Sequence, residues 1–308
     1  MALLDQLGVD PAAAEELTVL PAAAEVLALL EVRDQVRAGR WDLVVVDCAA
    51  TAETLRLLSL PEALGLYLDR SLPPGLRVAR AVRVGMSGGG DPLLDELRRL
   101  GDELADVRSL LTDRLTGVRL VLTAESVVLA EARRTLTHLC LLGYGVEAVV
   151  INRLVPGGGD PWRTARAGRQ QLVLEDARAT FGASAVLTLP DDAVEPVGPD
   201  ALADVGRRLY DGPGRDPLPL VDVAPPLRVE RSGDHWLLLL ALPGARVGEL
   251  DLRRRGDDLE VAVGPARRLL RLPSVLRRCR VVEARLRDGD LRVVFEPDPA
   301  LWPERGIS

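Results

Sequence analysis

Three short apolar runs, each following a stretch of helical rhythm, set what this chain can fold into. Leu43-Val44-Val45-Val46, Val118 to Leu122 and Val146-Glu147-Ala148-Val149-Val150-Ile151 are rich in branched residues. Strands covered on both faces read as near-continuous apolar runs of this kind. Parallel neighbours need a long crossover, usually a helix, and here a helical pattern lies between successive runs. From Ala22 to Val36, apolar residues at Ala24, Leu27, Ala28, Leu30 and Val36 keep the helical period, and Gly39 closes the segment. Asp47 then stands at the C-terminal end of the first expected strand. A mixed helical stretch from Leu55 to Leu115 is interrupted by Pro73-Pro74 and Gly88-Gly89-Gly90. Ser126 to Leu142 reads as a helix stopped by Gly143. A helix around Ala165–Phe181, a strand at Ala185–Leu189 and a helix near Asp200–Tyr210 complete an α/β pattern whose sheet is parallel.

The pattern changes after Tyr210. Asp211–Pro226 is rich in Pro, Gly and Asp and reads as a linker. Beyond it, short alternating runs recur at Leu227–Glu230, Trp236–Leu240, Leu250–Arg253, Leu259–Val263, Arg267–Leu272, Val281–Leu286 and Leu291–Phe295. Turn signals such as Ser232-Gly233-Asp234 and Asp288-Gly289-Asp290 separate them, which predicts an antiparallel β-sandwich. The expected layout is an α/β domain over 1–210, a linker over 211–226, a sandwich over 227–297 and a tail over 298–308.

Composition narrows the chemistry. The net charge is −7 and no block of like charge could neutralise a run of phosphates, so nucleic acid is not an expected partner. Cys48, Cys140 and Cys279 are scattered, and His138 and His235 have no second ligand at metal spacing, so no metal site is expected. The N-terminus lacks a basic n-region, and no apolar run approaches the ~20 residues of a membrane span. A reducing, cytoplasmic setting fits these features. All 39 basic residues are arginine, and the chain has no lysine.

Val44-Val45-Val46-Asp47-Cys48-Ala49-Ala50-Thr51-Ala52-Glu53-Thr54-Leu55-Arg56-Leu57-Leu58 resembles the D-T/C-A-P-T-G-H-T-L-R-L-L segment of the ArsA and tail-anchor-targeting ATPases. Ala50, Ala52 and Glu53 depart from that pattern. Leu122 to Glu125, Ala130 to Thr135 and Leu141-Leu142-Gly143-Tyr144 resemble the stretch after the next strand of that family. Val150-Ile151-Asn152-Arg153-Leu154-Val155-Pro156 is similar to its adenine-contacting segment. Leu189-Pro190 with Glu195 and Gly198 resembles the later P-L-x-x-E-V-x-G loop. The resemblance implies a P-loop NTPase-like sheet of the SIMIBI type, with ATP and Mg as ligands. Asp47 is implied on the magnesium and water side, and Asn152, Pro190 and Glu195 on the adenine side.

Two family features have no counterpart in these residues. No G-x-x-x-x-G-K-S/T is present, and Gly157-Gly158-Gly159 leads into Asp160-Pro161, which reads as a plain loop. The segments equivalent to the first strand, the P-loop and switch I are likewise absent from the chain, so the sheet is expected to lack its N-terminal strand. Leu242-Pro243-Gly244, Asp257 to Val261, Leu272-Pro273 and Ala284 to Val293 resemble the α-crystallin domain of small heat-shock proteins, which offers strand edges and grooves to partners. The expected function is therefore a catalytically incomplete ATPase-like protein that binds protein clients or a P-loop-bearing relative, as a homo- or heterodimer. The alternative is the C-terminal part of an active ATPase whose start lies upstream. Pro61–Arg114 falls where the targeting relatives form a client groove.

Overall fold

A computed structural model describes residues 23–48, 52–60, 92–182, 186–210 and 225–301. The chain divides into two compact units, Met1–Leu111 and Thr112–Ser308.

In the first unit, helix α1 (Ala23–Arg37) and helix α3 (Pro92–Leu111) flank helix α2 (52–60) in sequence. Leu29, Leu30 and Val107 form a small buried cluster with Val26, Leu57 and Leu111 against it. Arg33 is buried beside Asp34 (2.8 Å) and Glu103 (3.7 Å), and Arg37 pairs with Asp106 at 2.9 Å, so charge reinforces the α1–α3 contact. Gly39 ends α1 at a φ of 61°, a conformation that suits glycine. The strand expected at Leu43–Val46 is not formed. Residues 43–48 lie outside any ladder, and Leu43, Val45 and Val46 are exposed. A lone extended segment is not stable as a strand, and this one has no hydrogen-bonded neighbour among the described residues. Pro73-Pro74, Gly88–Gly90 and most of the Pro61–Arg114 stretch lie outside the described residues.

The second unit opens with the parallel sheet. Strands β1 (Val118–Thr123), β2 (Val146–Leu154) and β3 (Val186–Pro190) are ordered β1-β2-β3, with both pairings parallel. Helix α4 (Ser126–Leu142) joins β1 to β2, helix α5 (Pro161–Phe181) joins β2 to β3, and helix α6 (Pro199–Tyr210) follows. Gly143 stops α4 at a φ of 93°, its N–H donating to Cys140 O while Tyr144 N–H returns to Leu139 O. Leu122, Leu129, Ala132, Val149, Ile151, Leu174, Ala177 and Val186 form the core between sheet and helices.

The strands that follow form the sandwich. One sheet runs β4 (Leu227–Ser232), β5 (His235–Ala241), β10 (Asp290–Pro297), β9 (Cys279–Arg287), and the other β6 (Leu250–Arg255), β7 (Asp258–Val263), β8 (Ala266–Arg271). Every pairing is antiparallel. A four-residue helix α7 (Ser274–Arg277) precedes β9. Leu238, Leu240, Leu242, Val261, Leu270, Leu291, Val293 and Phe295 interdigitate between the sheets, and Leu141 of α4 belongs to the same cluster.

Leu141 thus fills a place in the sandwich core from outside it. Leu141→Ala in the whole chain is expected to cost about 2–5 kcal/mol in chemical denaturation. An excised 227–297 segment, the boundary proposed from sequence, is expected to unfold cooperatively but at a lower Tm than the same strands in the whole chain. Equal melting temperatures would show that Leu141 contributes nothing.

Cys140, one residue earlier, is buried, and burial followed by the charge of Asp290 pushes its thiol up to about 12. Its contribution to stability is complete below the unfolded thiol's value of about 8.5 and is lost as pH rises toward the folded one. Denaturation midpoints of the chain and of Cys140→Ala are expected to converge between about pH 8.5 and 12.

Candidate functional site

At the C-terminal edge of the parallel sheet stand Asn152 and Pro190, two of the four residues singled out in the sequence, and Glu195 follows in the loop after β3. Thr123 ends β1 opposite Asn152 of β2, and further along β2 Leu154 pairs with Pro190 at the end of β3. The ladder shifts register between Ile151 and Leu154 because the chain bends there. Arg153 takes a φ of 58°, and the Asn152 side-chain oxygen accepts its N–H at 2.8 Å. A left-handed residue other than glycine needs support, and the Asn152 cap supplies part of it. Among the described residues no partner is shown for the Asn152 amide nitrogen, whose oxygen makes that cap.

Gln170, which the sequence reading did not single out, supplies the rest. Its side chain is buried on α5, where Oε1 accepts the Val155 N–H at 2.8 Å and Nε2 donates to the Arg153 carbonyl at 3.1 Å. One amide therefore clamps both sides of the bend that carries Asn152. Spacing could have revealed it: Gln170, Leu174 and Ala177 are the buried positions of α5 and lie on one helical face. A polar residue on an apolar stripe needs partners, and these are the partners.

Beyond β3, Asp191 N–H donates to Leu154 O at 2.8 Å, extending the β2–β3 contact past Pro190. Asp192 receives two hydrogen bonds from Arg208 of α6, at 2.9 and 2.5 Å, and these hold its carboxyl below the ordinary range. This pairing anchors the start of the loop carrying Glu195, whose end turns at Gly198 with a φ of 87°. Glu195 is exposed, as are Val194 and Val197 beside it. On the opposite flank Arg166 of α5 stands 3.9 Å from Glu125 and 5.7 Å from the centroid of the exposed Trp162 ring. Asp160 caps α5 by accepting the Arg163 N–H at 2.9 Å, so Gly157–Gly159 forms the loop before a capped helix.

Asp47 belongs to the first unit, on the exposed segment after Val46. The C-terminal edge presents the Asn152 amide, and Pro190 and Glu195 beyond it are exposed. The triphosphate and its metal do not fit the described residues. No group of three metal-ligating side chains occurs among them, and no lysine exists to reach a phosphate.

Residues 2–211 match the model of the anion-transporting ATPase family, and residues 233–295 match that of the HSP20-like domain found in ArsA. The chain belongs to the anion-transporting ATPase family and carries an HSP20-like domain. It is 41% identical over 311 residues to protein Rv2184c of Mycobacterium tuberculosis, covering 94% of this chain and 72% of that protein. It is 31% identical over 304 residues to a Chlorobaculum tepidum protein named "Putative arsenical pump-driving ATPase", covering 94% of this chain and 74% of that one. Among solved structures, HSP18.5 from E. histolytica matches 27% of this chain and 97% of its own at 19% identity, with a TM-score of 0.20. Among the described residues no helix is long and apolar enough to cross a membrane.

The Gln170 clamp generates a direct expectation. Gln170→Leu takes this partner from the part-buried Val155 N–H and Arg153 carbonyl, at a combined cost of about 1–3 kcal/mol, below the sum for two fully buried groups. Urea denaturation is expected to show a loss within that range, and an unchanged midpoint would mean that water replaces the amide.

Proposed function

We propose that this chain is an ATPase-like binding protein that recognises the base of a nucleotide at Asn152, Pro190 and Glu195, does not hydrolyse ATP alone, and works through protein partners. The observation that carries this reading is the absence of lysine from the 308 residues, joined to the exposed, strandless setting of Asp47. Phosphoryl transfer depends on positioned charge around the γ-phosphate, and a lone exposed carboxylate supplies little of it. Arginine can neutralise phosphate, but no G-x-x-x-x-G-K-S/T segment lies within these 308 residues.

Partners follow from the sheet. Strand β1 pairs only with β2 among the described residues, which leaves its second edge with unpaired backbone groups, and Val121 on it is exposed. Such an edge invites pairing with another strand. A second copy of the chain, a P-loop-bearing relative or a protein client can supply it. The HSP20-like sandwich adds strand edges of its own at β4 and β9. The names of relatives support a nucleotide-dependent role in this family, and the present residues support recognition more than chemistry.

Turnover of ATP with magnesium is expected to stay at background in the purified chain. Turnover that disappears in Asp47→Asn would overturn the reading and place the chain among active ATPases. Fluorescence anisotropy with labelled ATP is expected to show weak binding, reduced about fivefold by Asn152→Ala, the worth of roughly one neutral hydrogen bond. Light scattering across a concentration series checks the partner arm, and a stable monomer at every concentration would count against self-association.

A further inference from the structure

Helix α4 begins at the candidate nucleotide edge and ends in the sandwich. Glu125 precedes it directly after β1, and its 17 residues carry it about 25 Å away. Its C-terminal half is buried on nearly every side: Thr135, Leu136, Thr137, Leu139, Cys140, Leu141 and Leu142 are all covered. A helix buried all round lies between two layers, and the contacts name them.

Toward α5, Arg133 donates to Asp176 Oδ1 at 2.6 Å and to Thr180 Oγ1 at 2.9 Å. Toward the sandwich, the Thr137 hydroxyl donates to the Pro243 carbonyl, Leu141 enters the sandwich core, and the buried Arg268 of β8 donates to the Leu141 carbonyl. Arg133, Thr137 and Leu141 recur every four residues, so one stripe of α4 forms the joint. The Leu242–Ala245 turn closes on this stripe through Gly244, whose φ of 85° brings it against Arg133 and Thr137.

We infer that α4 is a relay: occupancy of the C-terminal sheet edge, where the helix begins, alters the Leu242–Ala245 turn and β8, where it ends. The sandwich is then a part of the nucleotide-responsive body and not a tethered appendage. Coupling of this kind is reciprocal, so a partner seated on that part of the sandwich changes affinity at the sheet edge. The ligand half of the inference rests on the nucleotide reading above; the mechanical half does not.

Native-state hydrogen exchange of the full chain in rising denaturant tests the mechanical half without any variant. Peptides from β2 and β10 are expected to merge into one opening transition. A sandwich that opens while β2 stays protected overturns the relay. For the ligand half, ATP at a concentration shown by anisotropy to saturate is expected to slow exchange at least threefold across Leu242–Ala245 and β8. The effect should be lost in Thr137→Val, which keeps the shape of the side chain and removes its hydroxyl. Unchanged exchange in the unaltered chain with ATP bound overturns the relay. Failure of ATP to bind counts against the nucleotide reading alone, and the denaturant series then decides the relay.

Discussion

The burial of α4 between a parallel sheet and an antiparallel sandwich is the constraint on which the second unit depends. The helix must satisfy two partners with different packing periods: a sheet core on one face, through Leu129 and Ala132, and a β-sandwich on another, through Leu141. Its end is fixed twice. Gly143 turns back onto Cys140 and Leu139, while Arg268 takes the Leu141 carbonyl, one of the terminal groups a helix cannot pair internally. A guanidinium at a helix C-terminus also complements the negative end of the helix dipole. The same contact that closes the helix therefore fastens the sandwich.

Arginine performs this work elsewhere in the unit. Arg119 of β1 pairs with Glu147 of β2 at 2.9 Å and sits 5.6 Å from the Tyr210 ring at the end of α6, so one side chain joins both strands to a helix. Arg254 reaches the backbone carbonyls of Arg277 and Cys279, tying β6 to the entry of β9. A planar fork with several fixed donors suits these multi-partner roles better than a single ammonium. The all-arginine composition thus serves the architecture well.

Much of this fold was legible because local signals agreed with tertiary ones. Ser126–Leu142 and its stop at Gly143 were read at their observed limits, since an apolar period and a glycine signal coincide there. The strands after residue 226 were found within a few residues, because turn glycines such as Gly233, Gly256 and Gly289 take the positive φ that their positions suggest. Leu43–Val46 misled because an apolar run states only what a segment can do. A strand also needs a neighbour, and pairing is a property of the whole sheet. The role of Leu141 was hidden for a related reason: an apolar helix position does not say which of two cores it enters.

The candidate site divides along the same line. Asn152 was singled out through the resemblance of Val150–Pro156 to a family segment, and the bend at Arg153 within β2 explains why an amide belongs there: it caps a left-handed residue. Pro190 lacks an N–H, so past the register shift the ladder resumes through its pairing with Leu154 and the Asp191 N–H. Glu195 is set by Asp192 and Arg208 at one end of its loop and by Gly198 at the other. Asn152 and Pro190 thus hold backbone positions that the protein needs for its own closure: a cap on a left-handed residue in one case, and a ladder resumed past a register shift in the other.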